Sequence, residues 1–222
     1  MRIQFFGGAR TVTGSKHLVT TEEGTKILLD CGMFQGIQTD DFNRTFGFKP
    51  ADLDYVLLSH AHIDHSGLLP RLVKQGFAGT IYCTPATLDL CKIMLLDSAH
   101  IQERDLDRIN KRRRNQTRTE LEPLYEVEDV EQTIRQMRAV PYGTRFFLGK
   151  ERVEVLFTDA GHILGSAAVH LTVPEGDTYK RLTFTGDIGR PDDQILRSTE
   201  PFEQADFIIC EATYGDRLHE PA

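Results

Sequence analysis

The chain has 222 residues, 40% of them hydrophobic and 27% charged, which is enough for one sizeable core or two small ones and excludes a disordered or fibrous protein. A formal net charge of -7 excludes a uniformly basic nucleic-acid binder, although it leaves room for a local basic groove or for phosphate contact through metal ions. No apolar run approaches the roughly 18 residues of a membrane span, so no membrane is expected.

The chain opens strand-like, with RIQFFGG, SKHLVTT, the turn EEG and TKILLDCG, a hairpin-rich start bounded by glycine. Residues 34–50 read as an irregular loop. DYVLLS, ending at Ser59, is a continuous apolar run of buried-strand type and leads directly into HAHIDH. Helix-like spacing follows in SGLLPRLVKQG, then a short strand TIYCT, then a helix over residues 85–102 with Pro85 near its start. Residues 100–122 lose apolar content and carry KRRRNQTR, and VEDVEQTIRQM reads as a helix. From Arg145 onward strands return in RFFLG, RVEVLFT, SAAVHLTV, RLTFTGD and DFIICEAT. The order of strands, helices and strands predicts two sheets packed face to face with helices outside, a four-layer α/β sandwich. The four cysteines, Cys31, Cys83, Cys91 and Cys210, have no C-x-x-C spacing and no apolar leader before them, so they are expected to be reduced thiols in the cytoplasm.

The chemical signal is His60-Ala61-His62-Ile63-Asp64-His65. Imidazole nitrogens and a carboxylate suit zinc. Side chains two apart in extended backbone point the same way, so His60 and His62 can reach one ion as the chain leaves the strand. Asp64 and His65 begin the next helix, diverge, and can reach a second ion. A His-rich surface turn is the bland alternative, but three histidines and an aspartate between a buried strand and a helix fit it poorly; a purely structural zinc site would normally show cysteines. His17 and His170, in strand-like runs, are read as packing residues, and His100 and His219 are assigned no metal.

The HAHIDH motif resembles the H-x-H-x-D-H signature of the metallo-β-lactamase superfamily, whose fold is an αββα four-layer sandwich. By that resemblance His162 in DAGHILGSA matches a third histidine ligand of the first ion, Asp187 in TFTGDIG a bridging carboxylate, and Asp30 in LLDCG a strand-end aspartate that orients a metal-bound histidine. Taken alone, Asp30, His162 and Asp187 are ordinary turn residues.

Three further segments, GGARTVTGSKHLV, LYEVEDVEQTIRQMRAVPYG and CEATYGDR with Glu211, are similar to the β-CASP ribonucleases of that superfamily. The resemblance implies hydrolysis of an RNA phosphodiester with two zinc ions: His60, His62 and His162 on the first, Asp64 and His65 on the second, Asp187 bridging. It assigns catalytic roles to Asp64, Asp187, Glu211 and Asp30, with Asp64 holding a proton of the nucleophilic water and Glu211 orienting a general acid. In that family a β-CASP domain and a return segment follow. Residues 1–222 are therefore expected to be the first part of a metallo-β-lactamase domain, cut before that completion, with a weak second metal site and little or no activity.

The basic run Lys111, Arg112, Arg113 and Arg114, with Arg118, could meet an RNA backbone, or it is simply a solvated helical face; no aromatics interleave with it for base stacking. The rival readings are a thioesterase or lactonase using the same ions on a carbonyl, a DNA-processing β-CASP nuclease, and a non-catalytic scaffold. RNA is the expected partner, and a homodimer is left open.

Overall fold

A computed structural model of the chain describes residues 1–37, 39–191 and 193–216. Its first half forms β1 (Arg2–Gly7), β2 (Lys16–Thr20), β3 (Lys26–Leu29), a short α1 (Asp40–Arg44), β4 (Tyr55–Leu57), α2 (Ile63–Ser66), α3 (Leu69–Lys74) and β5 (Thr80–Cys83). Then come α4 (Pro85–Asn115), α5 (Val127–Gln136), β6 (Met137–Ala139), β7 (Phe146–Leu148), β8 (Val153–Asp159), β9 (Ala167–Glu175), β10 (Thr178–Phe184) and β11 (Phe207–Ile209). Strands β1 to β6 make a six-stranded sheet in sequence order, and β11-β10-β9-β8-β7 a five-stranded one. The first sheet is antiparallel across β1-β2-β3 and parallel across β3-β4-β5-β6.

Alternation along the strands builds two separate cores. Leu18, Leu28, Val56, Leu58 and Ile81 face one way and pack with Leu68, Leu72, Cys91, Leu95 and Val130 of the helical side. Val19, Ile27, Leu29 and Leu57 face the other way and meet Val155, Phe157, Val169, Leu171 and Leu182 of the second sheet. The described residues thus form helices, sheet and sheet, three successive layers of the expected sandwich. Among them no helix is long and apolar enough to cross a membrane. All four cysteines are free, and only Cys210 is exposed.

Three boundaries differ from the sequence reading. Helix α4 runs on to Asn115 instead of stopping near residue 102. Its second half is charged, so the apolar period fades, but Arg, Lys, Asp and Leu remain compatible with helix. The following chain also turns back along it: Asn110 Oδ1 accepts the Leu121 N–H at 2.8 Å and Arg113 Nε donates to the Thr119 carbonyl at 2.6 Å. The loop over residues 34–50 contains α1, and a 3-10 turn, Pro50–Asp52, begins at its end. Met137, expected at the end of a helix, instead starts β6 beside β5.

His17 and His170 are packed in the strands. His170 lies between the hydroxyls of Thr158 and Thr183, both at 2.9 Å. His17 sits between the rings of Phe5 and Phe184, with centroids 5.2 and 5.3 Å away, and its Nδ1 has no hydrogen-bond partner. Burial pushes its pKa down to about 4. An unfolded histidine titrates near 6.5, so this packing stabilises fully above that pH and is lost as pH falls toward 4. In the metal-free chain, His17→Gln is expected to remove up to about 3 kcal/mol of acid destabilisation between pH 6.5 and 4. Denaturant unfolding across that window checks it, and identical pH slopes for both proteins would refute the assignment.

Candidate metal centre

The loops at one end of the two sheets bring together His60, His62, His162 and Asp187, each with a ligand atom within 4.8 Å of the others'. His60 and His62 follow β4, as the extended-chain argument expects, but they present different atoms. His60 Nε2 and His62 Nδ1 are 3.1 Å apart, and His162 Nε2 is also 3.1 Å from His62 Nδ1. Asp187 Oδ2 stands 3.7 Å from His60 Nε2 and 3.5 Å from His162 Nε2. A tetrahedral zinc with nitrogen ligands at 2.0–2.1 Å has edges of about 3.3 Å. Three imidazole nitrogens and one carboxylate oxygen at these separations fit such an ion.

A second group adjoins the first. His65 Nε2 lies 3.2 Å from Asp187 Oδ1 and 3.8 Å from Asp64 Oδ2. Asp187 therefore turns one oxygen to each group. Its pKa is lowered: burial opposes this, but the hydrogen bond and charge of His65, with His162 and His62, outweigh it.

Asp30 sits beneath both groups, wholly buried, with a positive φ of 58° that aspartate tolerates better than most residues. Its Oδ1 accepts the Ser59 N–H at 2.8 Å, and its Oδ2 lies 2.9 Å from Ser59 Oγ, 2.7 Å from His65 Nδ1 and 3.3 Å from Ser15 Oγ. Ser59 Oγ is in turn 3.0 Å from His60 Nδ1. With the Ser59 hydroxyl donating to Asp30, His60 Nδ1–H donates to Ser59 and Nε2 keeps a free lone pair. Sequence reasoning found Asp30 but not Ser59 or Ser15; a hydroxyl directly before HAH, at the end of a buried strand, was the available signal.

Backbone contacts lock the second group. The N–H groups of Ser15, Cys31 and Met33 donate to the carbonyls of Asp64, His65 and Ile63 at 2.9, 2.7 and 3.0 Å. The chain comes so close that a Cβ on Gly32 would stand 1.6 Å from the Asp64 carbonyl oxygen. The His162 loop is fixed similarly, since Ser166 Oγ accepts the His162 N–H at 3.0 Å and Asp159 Oδ1 the Gly161 N–H at 2.9 Å. The hydroxyls of Thr84 and Thr87 tie that loop to the start of α4, donating to the Gly165 carbonyl at 2.7 and 2.8 Å.

Electrostatics separate the two groups. Burial, then the neighbouring histidines His65, His62 and His162, push the His60 pKa well down, and burial followed by His162 lowers that of His62. His65 goes the other way: burial lowers it, but the carboxylates of Asp30 and Asp187 prevail and raise it to about 10.

Other sequence assignments fall elsewhere. Glu211 Oε1 accepts the Ile188 N–H at 2.7 Å and so fixes the backbone just after Asp187. Lys111 lies 27 positions along from Thr84; at 1.5 Å per helical residue the basic run is on the order of 40 Å from the His162 loop, too far to share a cleft with the histidines. Arg217 of the CEATYGDR segment and His219 are outside the described residues. Asp30→Asn keeps the shape but removes charge from beneath His65 and Ser59. It should weaken metal affinity about 10- to 100-fold, read by competition with a chromophoric chelator; unchanged affinity would remove Asp30 from the positioning network.

Comparison with known proteins agrees with this geometry. The chain is 39% identical over 221 residues to Ribonuclease TTHA0252 of Thermus thermophilus, covering 100% of this chain and 46% of that protein. It is 30% identical over 218 residues to Transcription termination factor FttA of Methanocaldococcus jannaschii, covering 97% of this chain and 32% of that factor. The chain thus spans less than half the length of either. Among solved structures, a metallo-beta-lactamase of Cronobacter sakazakii with a HARLDQ motif superposes with a TM-score of 0.52 at 22% identity, covering 85% of this chain and 57% of that one, which shows the shared fold. Residues 14–217 match the metallo-beta-lactamase superfamily, and with the fold and the His/Asp cluster in place, the chain belongs to that superfamily.

Proposed function

We propose that the chain carries the metal centre of a zinc-dependent phosphodiesterase acting on RNA. The observation that carries this reading is the split Asp187 carboxylate, with Oδ2 toward His60 and His162 and Oδ1 toward His65. Such a bridge suits a two-ion centre that grips the oxygens of one phosphate. The ribonuclease and termination-factor names of the relatives support RNA as the substrate class. Residues 1–222 are then the metallo-β-lactamase portion of a β-CASP-type enzyme.

His60, His62, His162 and Asp187 would hold the first ion, and Asp64, His65 and Asp187 the second. A bound zinc supplies Lewis acidity and a nucleophile available at neutral pH. The protein's own groups do the rest. Asp64, partly exposed and beside His65, is placed to take a proton from the attacking water. Asp30 holds the His65 ring, and through Ser59 the His60 ring, so that their Nε2 atoms face the centre. Glu211 anchors the Ile188 amide and keeps Asp187 at the junction of the two groups.

The two groups differ in readiness. The first offers four donors, two of them histidines whose environment favours the neutral form. The second offers three and must first lose the proton that holds His65 charged up to about pH 10. At pH 7 the purified chain should retain about one equivalent of zinc after desalting, with second-site occupancy rising as pH approaches 10. Elemental analysis measures both, and two full equivalents at pH 7 would contradict the asymmetry.

His62→Ala should lose the first ion and lower hydrolysis of bis(p-nitrophenyl) phosphate about 100-fold or more. Unchanged metal content would overturn the ligand set. Turnover of thioesters or lactones with none of phosphodiesters would overturn the substrate class.

A further inference from the structure

Two cavities meet at the metal centre. One, of about 380 Å³, is lined by His65, Asp187 and Glu211 together with Phe5 and Arg10. The other, of about 720 Å³, is lined by His162, Asp187 and Glu211 together with Arg190 and Tyr214. Asp187 and residues 211–213 belong to both, so these are two lobes of one cleft with the ligand cluster at its waist.

Each lobe has the same composition. Among the described residues, Arg10 is the one Arg or Lys lining the first lobe and Arg190 the one lining the second. Each also has an exposed aromatic ring, Phe5 at 53% and Tyr214 at 47%. A guanidinium pairs with a phosphate, and an exposed ring stacks on a base whatever its identity. An arginine and a ring on each side of a phosphate-gripping centre match the repeat of a nucleotide strand. In an acidic chain of net charge -7, these are the cations that face the cleft.

The Arg10 loop is built to hold its position. Its ends touch, because a Cβ on Gly7 would lie 1.9 Å from the Gly14 carbonyl oxygen. The buried Lys16 ammonium ties Gly14 to Gly32 through their carbonyls at 3.1 and 2.6 Å, and Thr13 Oγ1 accepts the Gln35 N–H at 3.0 Å. Arg10 itself has a φ of 63°, left-handed backbone that a long side chain adopts at a cost. A strained arginine on a braced loop at the mouth of the cleft indicates a ligand contact rather than slack.

We propose that this cleft binds a single-stranded polynucleotide on both sides of the metal centre, with Arg10 and Phe5 holding phosphate and base on one side and Arg190 and Tyr214 on the other. The proposal rests on the phosphodiesterase reading and deepens it: the reacting phosphate lies within a strand, with nucleotides seated in both directions.

The test compares two substrates of the zinc-loaded chain. Bis(p-nitrophenyl) phosphate needs the metal centre alone, whereas a single-stranded oligoribonucleotide of about a dozen nucleotides needs both lobes. Arg10→Gly, which suits the left-handed backbone, together with Arg190→Gln and Phe5→Leu, should each lower oligonucleotide kcat/KM about tenfold and leave the small ester unaffected. Each arginine removed should also flatten the slope of log affinity against log salt by about 0.7, measured by fluorescence anisotropy. Unchanged affinity and salt slope in both arginine variants would overturn the two-sided cleft while ester hydrolysis still supports the metal centre. Absence of ester hydrolysis would instead strike the phosphodiesterase reading, and the binding measurement, which needs no turnover, would still decide the cleft.

Discussion

The structure depends on one buried carboxylate. Asp30 ends β3 with no solvent exposure, a position where an unpaired charge is very costly. It is tolerable because every near neighbour donates to it: the Ser59 amide and hydroxyl, the Ser15 hydroxyl and His65 Nδ1. Those donors sit on β4, on the chain leading into β2, and on α2, so satisfying one charge brings three loops into register. The imidazoles then inherit their orientation. His65 and His60 each commit Nδ1 to this network, directly or through Ser59, and are left with Nε2 for the centre. The acid beneath the metal centre thus has two effects, closing the end of the first sheet and choosing the tautomers.

Close backbone approach supplies the rest of the precision. Gly32 and Gly189 occupy equivalent situations on the two sides of the site. A Cβ on Gly32 would stand 1.6 Å from the Asp64 carbonyl oxygen, and one on Gly189 would stand 1.7 Å from that of Gly161. In each case the glycine lets a strand-end loop press against the turn that carries a ligand, Asp64 and His65 on one side and His162 on the other. Loops braced by main-chain contact hold side chains more tightly than loops free in solvent. This is how ligands separated by more than a hundred positions in sequence, His60 and Asp187, come within 3.7 Å of each other.

Much of this was legible in the residues, and the gaps have physical causes. HAHIDH announced itself because ligands clustered in sequence need only a strand end and a helix start to converge. His162 and Asp187 became visible only through resemblance, since a lone histidine or aspartate in a glycine turn has no local signature of what it faces. Ser59 and Ser15 were missed for the same reason: a hydroxyl's partner is set by tertiary packing. The strand pattern gave both sheets because period-two alternation is a local property. The end of α4 was lost because a helix with a charged second half has no apolar stripe to count, and what ends it, Asn110 and Arg113 reaching across to residues 119–121, is again tertiary. His17 and His170, read as packing residues from their strand runs, do sit among strand neighbours.

Charge gives the clearest case of composition misdirecting attention. The run at 111–114 is the densest basic segment in the sequence, yet helix geometry carries it far from the histidines. The arginines that line the cleft, Arg10 and Arg190, are single residues between glycines, threonines and prolines, with nothing in their spacing to mark them. A site that handles a polyanion needs few cations if metal ions neutralise the reacting phosphate, because the ions are the largest local charges and act at the shortest range. An overall excess of acid then becomes an advantage. It repels nucleic acid from the rest of the surface, so that attraction is confined to the one cleft where carboxylates have been turned inward to bind metal. On this view the net charge and the metal centre are parts of one arrangement, in which the chain's anionic residues bind the cations that bind the substrate.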